Sequence, residues 1–306
     1  MNKSKSECKI YLDSEKVSWV IPKESIKNTL LNKTDGLLYL NVESAGEIEF
    51  NDDSCKISKN NEKICNKKIN SSLKFKNGKK DSVYTPLSVV NFHTHPLNCY
   101  IDAETIWGWP SGEDLAQCLN FASDNNLVHV IFAIEGTYII DVNKLLINFL
   151  KTDNKLYKIV HNNIEEIFKL THKHRMVFND SNKNVSLETE FNEIFLKPLN
   201  LSEQLNILYS WLNLVNNLTL EKLIILSNNL SEYFKNIKKI SYNKFNSNYL
   251  NMKIFQISIV KNETKQWDQN LDKNKIFNLI KNKKLEITLP NNITYKSHFI
   301  SSDCRL

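Results

Sequence analysis

The sequence predicts an α/β fold in its first half, a mixed β-sheet with flanking helices, followed by a mainly α-helical second half. Three observations carry this. All six glycines (Gly36, Gly46, Gly78, Gly108, Gly112 and Gly136) precede residue 140, so tight turns are concentrated there. Short apolar runs of strand length alternate with helical patterns between residues 17 and 142. Beyond them, Leu201, Leu205, Leu208, Leu212 and Val215 form one apolar stripe at helical spacing.

Taken in order, Val17 to Ile21 reads as a short strand, and Pro22 with Glu24 opens a helix through Ile26, Leu30 and Leu31. Thr34-Asp35-Gly36 is a turn. Leu37 to Val42 and Ile48 to Phe50 read as strand, whereas the Lys- and Asn-rich stretch from Asn51 to Lys80 shows no apolar order. Ser88 to Phe92 is a further strand, and Leu115, Cys118, Leu119 and Ala122 mark an amphipathic helix. Val128 to Ile134 and Thr137 to Val142 flank Glu135-Gly136 as a β-hairpin. No Gly-rich phosphate loop follows any strand, which argues against a nucleotide-binding doubly wound sheet.

In the second half, helices are expected around Lys155 to Leu170, Leu201 to Val215 and Thr219 to Ile237. Phe255 to Val260 and Leu285 to Leu289 read as strands, with a short helix from Ile276 to Ile280 between them. These strands could return to the first sheet or build their own. The boundary is expected near Asp141 to Lys151, giving residues 1–150 and a separate, mainly helical accessory domain at 151–306.

The chemistry is concentrated in Asn91-Phe92-His93-Thr94-His95-Pro96 and, downstream, Pro110-Ser111-Gly112-Glu113-Asp114. Imidazoles at i and i+2 of an extended segment point to one face, so both can reach one metal ion. An aspartate from the start of the next helix would complete three ligands, leaving an open position for water as in hydrolytic zinc sites. Each fragment has a plain structural reading as well. Ser111-x-x-Asp114 is also a helix capping box, and a lone His-x-His can be ordinary strand polarity. The conjunction is a pattern that packing alone has no reason to assemble.

Together these residues resemble the JAMM, or MPN+, zinc metalloproteases (the JAB domain family), which include deubiquitinating isopeptidases. Members carry His-Ser/Thr-His-Pro, a later Ser-x-x-Asp and a glutamate well upstream. The resemblance covers roughly residues 17 to 142 and implies a JAB/MPN-type sandwich. It implies one Zn2+ per chain on His93, His95 and Asp114, with Ser111 helping to bind the substrate carbonyl oxygen. Glu43-Ser44-Ala45-Gly46 matches the family's Glu-x-x-Gly, which makes Glu43 the expected general base, although Glu47 and Glu49 share its face if the strand is regular. The implied reaction is hydrolysis of an isopeptide or peptide bond by a metal-activated water, with ubiquitin or ubiquitin-like conjugates as substrates. No cysteine nucleophile is involved, so thiol alkylation should spare activity.

The sequence departs from the family between His95 and Ser111, where the fifteen residues Pro96 to Pro110 make a loop about twice the usual length. Trp107 and Trp109 in it could bind substrate or pack the loop down. The departure bears on the substrate groove more than on the metal.

Composition bounds the alternatives. A net charge of +6 carried almost wholly by lysine, with only Arg175 and Arg305, is a poor footprint for nucleic acid, which is not expected as a partner. A polar N-terminus and no long apolar run predict no secretory signal, no membrane span and a cytoplasmic location. The six cysteines show no CxxC spacing, and whether Cys55 and Cys65 pair is open. His172-Lys173-His174 reads as a solvated face, and His129 as a hydrogen-bonded core histidine. A different class of function, a non-catalytic MPN-type scaffold binding a protein partner through residues 151–306, is the alternative. An amidohydrolase would need further ligands that the other histidines are poorly placed to supply.

Overall fold

The structure is a computed structural model and describes residues 18–22, 42–48, 55–57, 63–65, 73–79, 82–88, 90–96, 99–100, 107–124, 126, 128–133, 136–171, 174–179, 184–190, 201–261 and 292–296. Its centre is a mixed six-stranded sheet. The strands of the first half are β1 (Ser18–Pro22), β2 (Ser44–Ile48), β3 (Cys55–Ile57), β4 (Lys63–Cys65), β5 (Leu73–Asn77) and β6 (Val90–Thr94). Helix α1 (Gly112–Ala122) then leads to β7 (Val128–Phe132) and β8 (Gly136–Val142). The order across the sheet is β5, β2, β6, β7, β8 and finally β11 (Phe255–Lys261).

Among the described strands, only β6 and β7 run parallel. A parallel pair needs a crossover, and the 96–110 loop with α1 supplies it. Every residue of β6, β7 and β8 is buried, as expected for strands covered on both faces. One end of α1 is held by a close approach. A Cβ on Gly112 would run into the Glu165 carbonyl oxygen and the Lys169 amide of α3 (Asn154–Thr171), so only glycine lets the two helices meet there.

The second half contains α2 (Lys144–Leu150), α3, a hairpin of β9 (His174–Asn179) and β10 (Asn184–Glu190), α4 (Leu201–Asn216), α5 (Leu220–Leu230) and the short α6 (Ser247–Leu250) before β11. It is more helical than the first half, as the sequence predicts. The strand Phe255–Lys261 returns to the first sheet: it pairs antiparallel with β8, Phe255 opposite Val142 and Ile259 opposite Tyr138. One hydrophobic cluster runs from Trp107 through Leu146, Ile164, Leu223 and Ile257, so the stretch expected to hold a domain boundary lies inside a continuous core. Asn216 of α4 fastens the edge strand, donating to the Ile257 carbonyl at 2.9 Å and accepting the Ile257 amide at 2.6 Å.

Several expectations shift in detail. The stretch from Asn51 to Lys80 contains β3, β4 and β5; Cys55-Lys56-Ile57 and Leu73-Lys74-Phe75-Lys76 do alternate, but over only three to five residues inside a Lys- and Asn-rich stretch, too short a run to stand out in the sequence. The helix expected to run from Thr219 to Ile237 stops at Leu230, since Asn228 turns its side chain to the Ile240 amide and carbonyl and draws the chain back. The strand expected at Val17 is Ser18–Pro22, paired antiparallel with β12 (Asn292–Lys296). His174, read from the sequence as part of a solvated basic face, begins β9. The expected helices at 22–31 and 276–280, the turn at 34–36 and the strand at 285–289 fall outside the described residues, apart from Pro22. Among the described residues, no helix is long and apolar enough to cross a membrane.

Candidate metal centre

Strand β6 delivers His93, and the residue just past its end delivers His95. His93 and His95 are 5% and 8% exposed, and their Nε2 atoms lie 2.9 Å apart. Asp114 arrives from the first turn of α1, placing Oδ1 3.2 Å from His93 Nε2 and Oδ2 3.4 Å from His95 Nε2. One ligand atom from each of the three residues falls within 4.8 Å of the others, the convergence expected from the sequence.

The site tests its own fit to a cation. The Gly108 carbonyl can only accept a hydrogen bond, and His95 Nδ1 donates to it at 2.8 Å. The neutral His95 ring therefore turns a bare Nε2 lone pair toward the second imidazole and a carboxylate. Two nitrogen acceptors and two carboxylate oxygens crowded this closely repel one another unless a cation or a proton sits among them. In the metal-free protein a proton serves. Burial by itself lowers the His95 pKa, but the hydrogen bond and charge of Asp114, with smaller help from Glu43 and Gly108, raise it to about 9. For Asp114 burial acts to raise the pKa, and the two histidines overcome it, holding the carboxyl well below the usual range. Two imidazole nitrogens and a carboxylate are the donor set of zinc, with room for a further ligand from the cleft.

Gly108 itself explains part of the long loop. A Cβ there would strike the Tyr100 ring, so glycine lets Tyr100 pack against residue 108 while its carbonyl meets His95. Trp109 stacks on Trp211 of α4 with centroids 5.2 Å apart and planes 1° from parallel, and both Trp107 and Trp109 are 2% exposed. The tryptophans are therefore anchors packed into the core cluster, and both also line the cleft.

That cleft has a volume of about 810 Å³ and is lined by the three ligand residues together with Glu43, Ser111 and Cys99. The register of β2 on β6 puts Ala45 opposite His93 and Glu47 opposite Asn91. Glu43, two residues before Ala45, thus lies level with His95 at the open end, whereas Glu47 is carried away along the sheet. Glu49 lies outside the described residues. Glu43 Oε1 is 3.5 Å from Cys99 Sγ, a thiol in the loop over the site. Ser111 is the N-cap of α1, its Oγ accepting the Asp114 amide at 3.1 Å. A hydroxyl that accepts keeps its own proton to donate.

His129 is the buried, hydrogen-bonded core histidine expected: its Nε2 is 2.7 Å from His93 Nδ1 and its Nδ1 2.8 Å from Asn91 Oδ1. The sequence reading missed Asn91, Gly108 and Cys99. Asn91 was within reach of it, since a residue two before His93 on a strand shares its face. Gly108 and Cys99 meet the site through tertiary contacts and leave no periodic signal.

No family model and no solved structure matches the chain. A stretch of 61 residues, 20% of this chain, is 38% identical to a protein called Uncharacterized protein 3R of Frog virus 3 (isolate Goorha). The match spans 13% of that protein's length.

Proposed function

We propose that the chain is a zinc-dependent peptidase or isopeptidase of the JAMM/MPN+ type, acting on conjugates of ubiquitin or a ubiquitin-like protein. The observation that carries this reading is the convergence of His93, His95 and Asp114 at the floor of an open cleft whose wall also holds Glu43 and Ser111. His93 Nε2, His95 Nε2 and the Asp114 carboxylate would hold the zinc ion. When bound, zinc polarises a carbonyl and acidifies a water molecule.

The protein supplies the rest. Glu43, at the mouth of the cleft, takes a proton from the attacking water and returns it to the departing amine. The Ser111 hydroxyl, anchored as a helix cap, donates toward the oxygen on which negative charge grows. The buried imidazoles and the packed tryptophans keep bulk water from the floor of the site, where electrostatic interactions are stronger. Such a route needs no covalent enzyme intermediate. A scaffold without catalysis would have no need of an open cleft beside these ligands.

Metal content tests the first half of this reading. The purified chain is expected to carry close to one zinc, and a His93→Ala, His95→Ala double variant to carry none. Cleavage of a ubiquitin dimer, abolished by chelation and restored by zinc, tests the second half. A zinc-loaded protein inert on ubiquitin and ubiquitin-like conjugates would remove the proposed substrate.

A further inference from the structure

We propose that Asn91 and His129 are positioning residues: through a buried relay of hydrogen bonds they dictate which nitrogen of His93 is left bare for the metal. This rests on the reading of His93, His95 and Asp114 as a metal centre. Its test is chosen so that either can fail alone.

The relay begins at a group with no freedom of role. The Pro86 carbonyl can only accept, and Asn91 Nδ2 donates to it at 2.9 Å. That fixes the Asn91 amide with Oδ1 turned toward β7, and an amide oxygen is an acceptor only. Oδ1 takes one proton from Asn126 Nδ2 at 2.9 Å and faces His129 Nδ1 at 2.8 Å. His129 therefore carries its proton on Nδ1, and its Nε2 is a lone pair. That lone pair lies 2.7 Å from His93 Nδ1, so the proton between the two rings belongs to His93. His93 Nε2 is then the nitrogen that points, with no proton of its own in the neutral ring, at His95 Nε2 and Asp114.

The alternative direction would protonate His129 on both nitrogens and let it donate to His93. His129 is 1% exposed, and its ring neighbours are His93 and Phe121. A cation buried there, with an amide oxygen and an imidazole as its hydrogen-bond partners, would lose its hydration without a carboxylate to replace it. The parallel pairing of β6 with β7 builds the relay, because its register sets Asn91 beside His129 and so brings the His129 ring, its centroid 4.9 Å from that of His93 and the planes 25° apart, between the two β6 side chains. The device matters because neutral imidazole in water favours the form with its proton on Nε2, the wrong one for a ligand using that atom. Partners of this kind typically account for about 10–100-fold in metal affinity.

Two measurements decide it. Long-range nitrogen-proton correlation spectra of the uniformly ¹⁵N-labelled protein, metal-free and zinc-loaded, should show His129 protonated on Nδ1 alone. A His129 ring with its proton on Nε2 overturns the proposal whether or not the protein binds metal. Zinc affinity, read by competition with a chromogenic chelator, should fall about 10–100-fold in His129→Leu. It should recover most of that loss in His129→Gln, whose amide oxygen can accept the His93 Nδ1 proton. Unchanged affinity in a folded His129→Leu variant, or an equal loss in both variants, overturns the relay. If His129→Leu does not fold, His129→Gln and the nitrogen spectra of the wild type still decide. Wild type that takes up no zinc would sink the metal centre instead, and the spectra alone would then judge the relay.

Discussion

Asp114 and Ser111 hold each other in a reciprocal pair: Asp114 Oδ2 accepts the Ser111 amide at 2.7 Å while Ser111 Oγ accepts the Asp114 amide at 3.1 Å. The capping box and the ligand set are thus one structure. The contact that starts α1 also clamps the carboxylate in reach of both imidazoles, so a helix cap at Ser111 and a carboxylate beside His93 and His95 are compatible in one arrangement.

Ser111→Ala separates the two roles. Losing the cap should lower unfolding stability by about 1 kcal/mol. Zinc content should stay near wild type, because Asp114 keeps its bond to the backbone amide. Turnover should drop by about 100- to 1000-fold if the hydroxyl serves the developing oxyanion. Chemical denaturation alongside steady-state kinetics checks this, and full activity in Ser111→Ala would confine the residue to its helix.

Glu43→Gln should leave zinc binding and melting temperature intact while reducing turnover by about 100-fold or more. Glu47→Gln should change little, since register carries Glu47 away from the cleft. Side-by-side assays of both zinc-loaded variants would reveal the reverse pattern if the base were misassigned.

Metal binding should depend on pH in a defined direction. In the metal-free protein the His95 pKa is raised from 6.5 to about 9, despite burial, by Asp114. A raised histidine stabilises the folded state fully below pH 6.5, and this contribution is lost as pH climbs through 9. Zinc needs the same nitrogen bare, so each ion bound below pH 9 expels a proton. Apparent affinity should therefore rise about tenfold per pH unit between 6.5 and 9. Calorimetric titration in buffers of unlike ionisation enthalpy reads the proton directly, and a flat profile would contradict the assignment.

Trp211→Ala should destabilise the fold by about 3–5 kcal/mol, the range for deleting a buried aromatic side chain. It should also weaken zinc binding, because the ring stacked on Trp109 holds the loop that presents the Gly108 carbonyl to His95. Thermal melts with chelator competition test both, and an unweakened metal site would show the loop to be held by other contacts.

Cys99 modifies one sequence expectation. No cysteine is a nucleophile in the proposed route, yet Cys99 lines the cleft 3.5 Å from Glu43, so a bulky alkyl group on it should obstruct substrate. Cys118 is buried and its thiol pKa is pushed well up by burial, so it should react far more slowly. Cys99→Ser should stay active and become resistant to alkylation, as a comparison of inactivation rates would show.

What could be read without coordinates was local. The i, i+2 spacing of His93 and His95, the helix opening at Ser111, the stripe on α4 and the hairpin of β7 with β8 all follow from backbone periodicity, which belongs to a short segment. The strands β3 to β5 escaped because each is only three to five residues long and set among lysines and asparagines, and α5 ended early because Asn228 found its partners twelve residues on, at Ile240.

By itself, then, the sequence determined an α/β first half, a more helical second half and three side chains suited to one ion. Tertiary structure alone decided that Glu43 rather than Glu47 reaches the cleft, that β11 closes the first sheet, that Trp109 is an anchor, and that the Gly108 carbonyl and His129 hydrogen-bond the two imidazoles. The physical reason is range. Which face a residue occupies is set by its own few dihedral angles, whereas which residue lies across from it depends on strand register and loop closure, fixed only when segments far apart in the chain share one core.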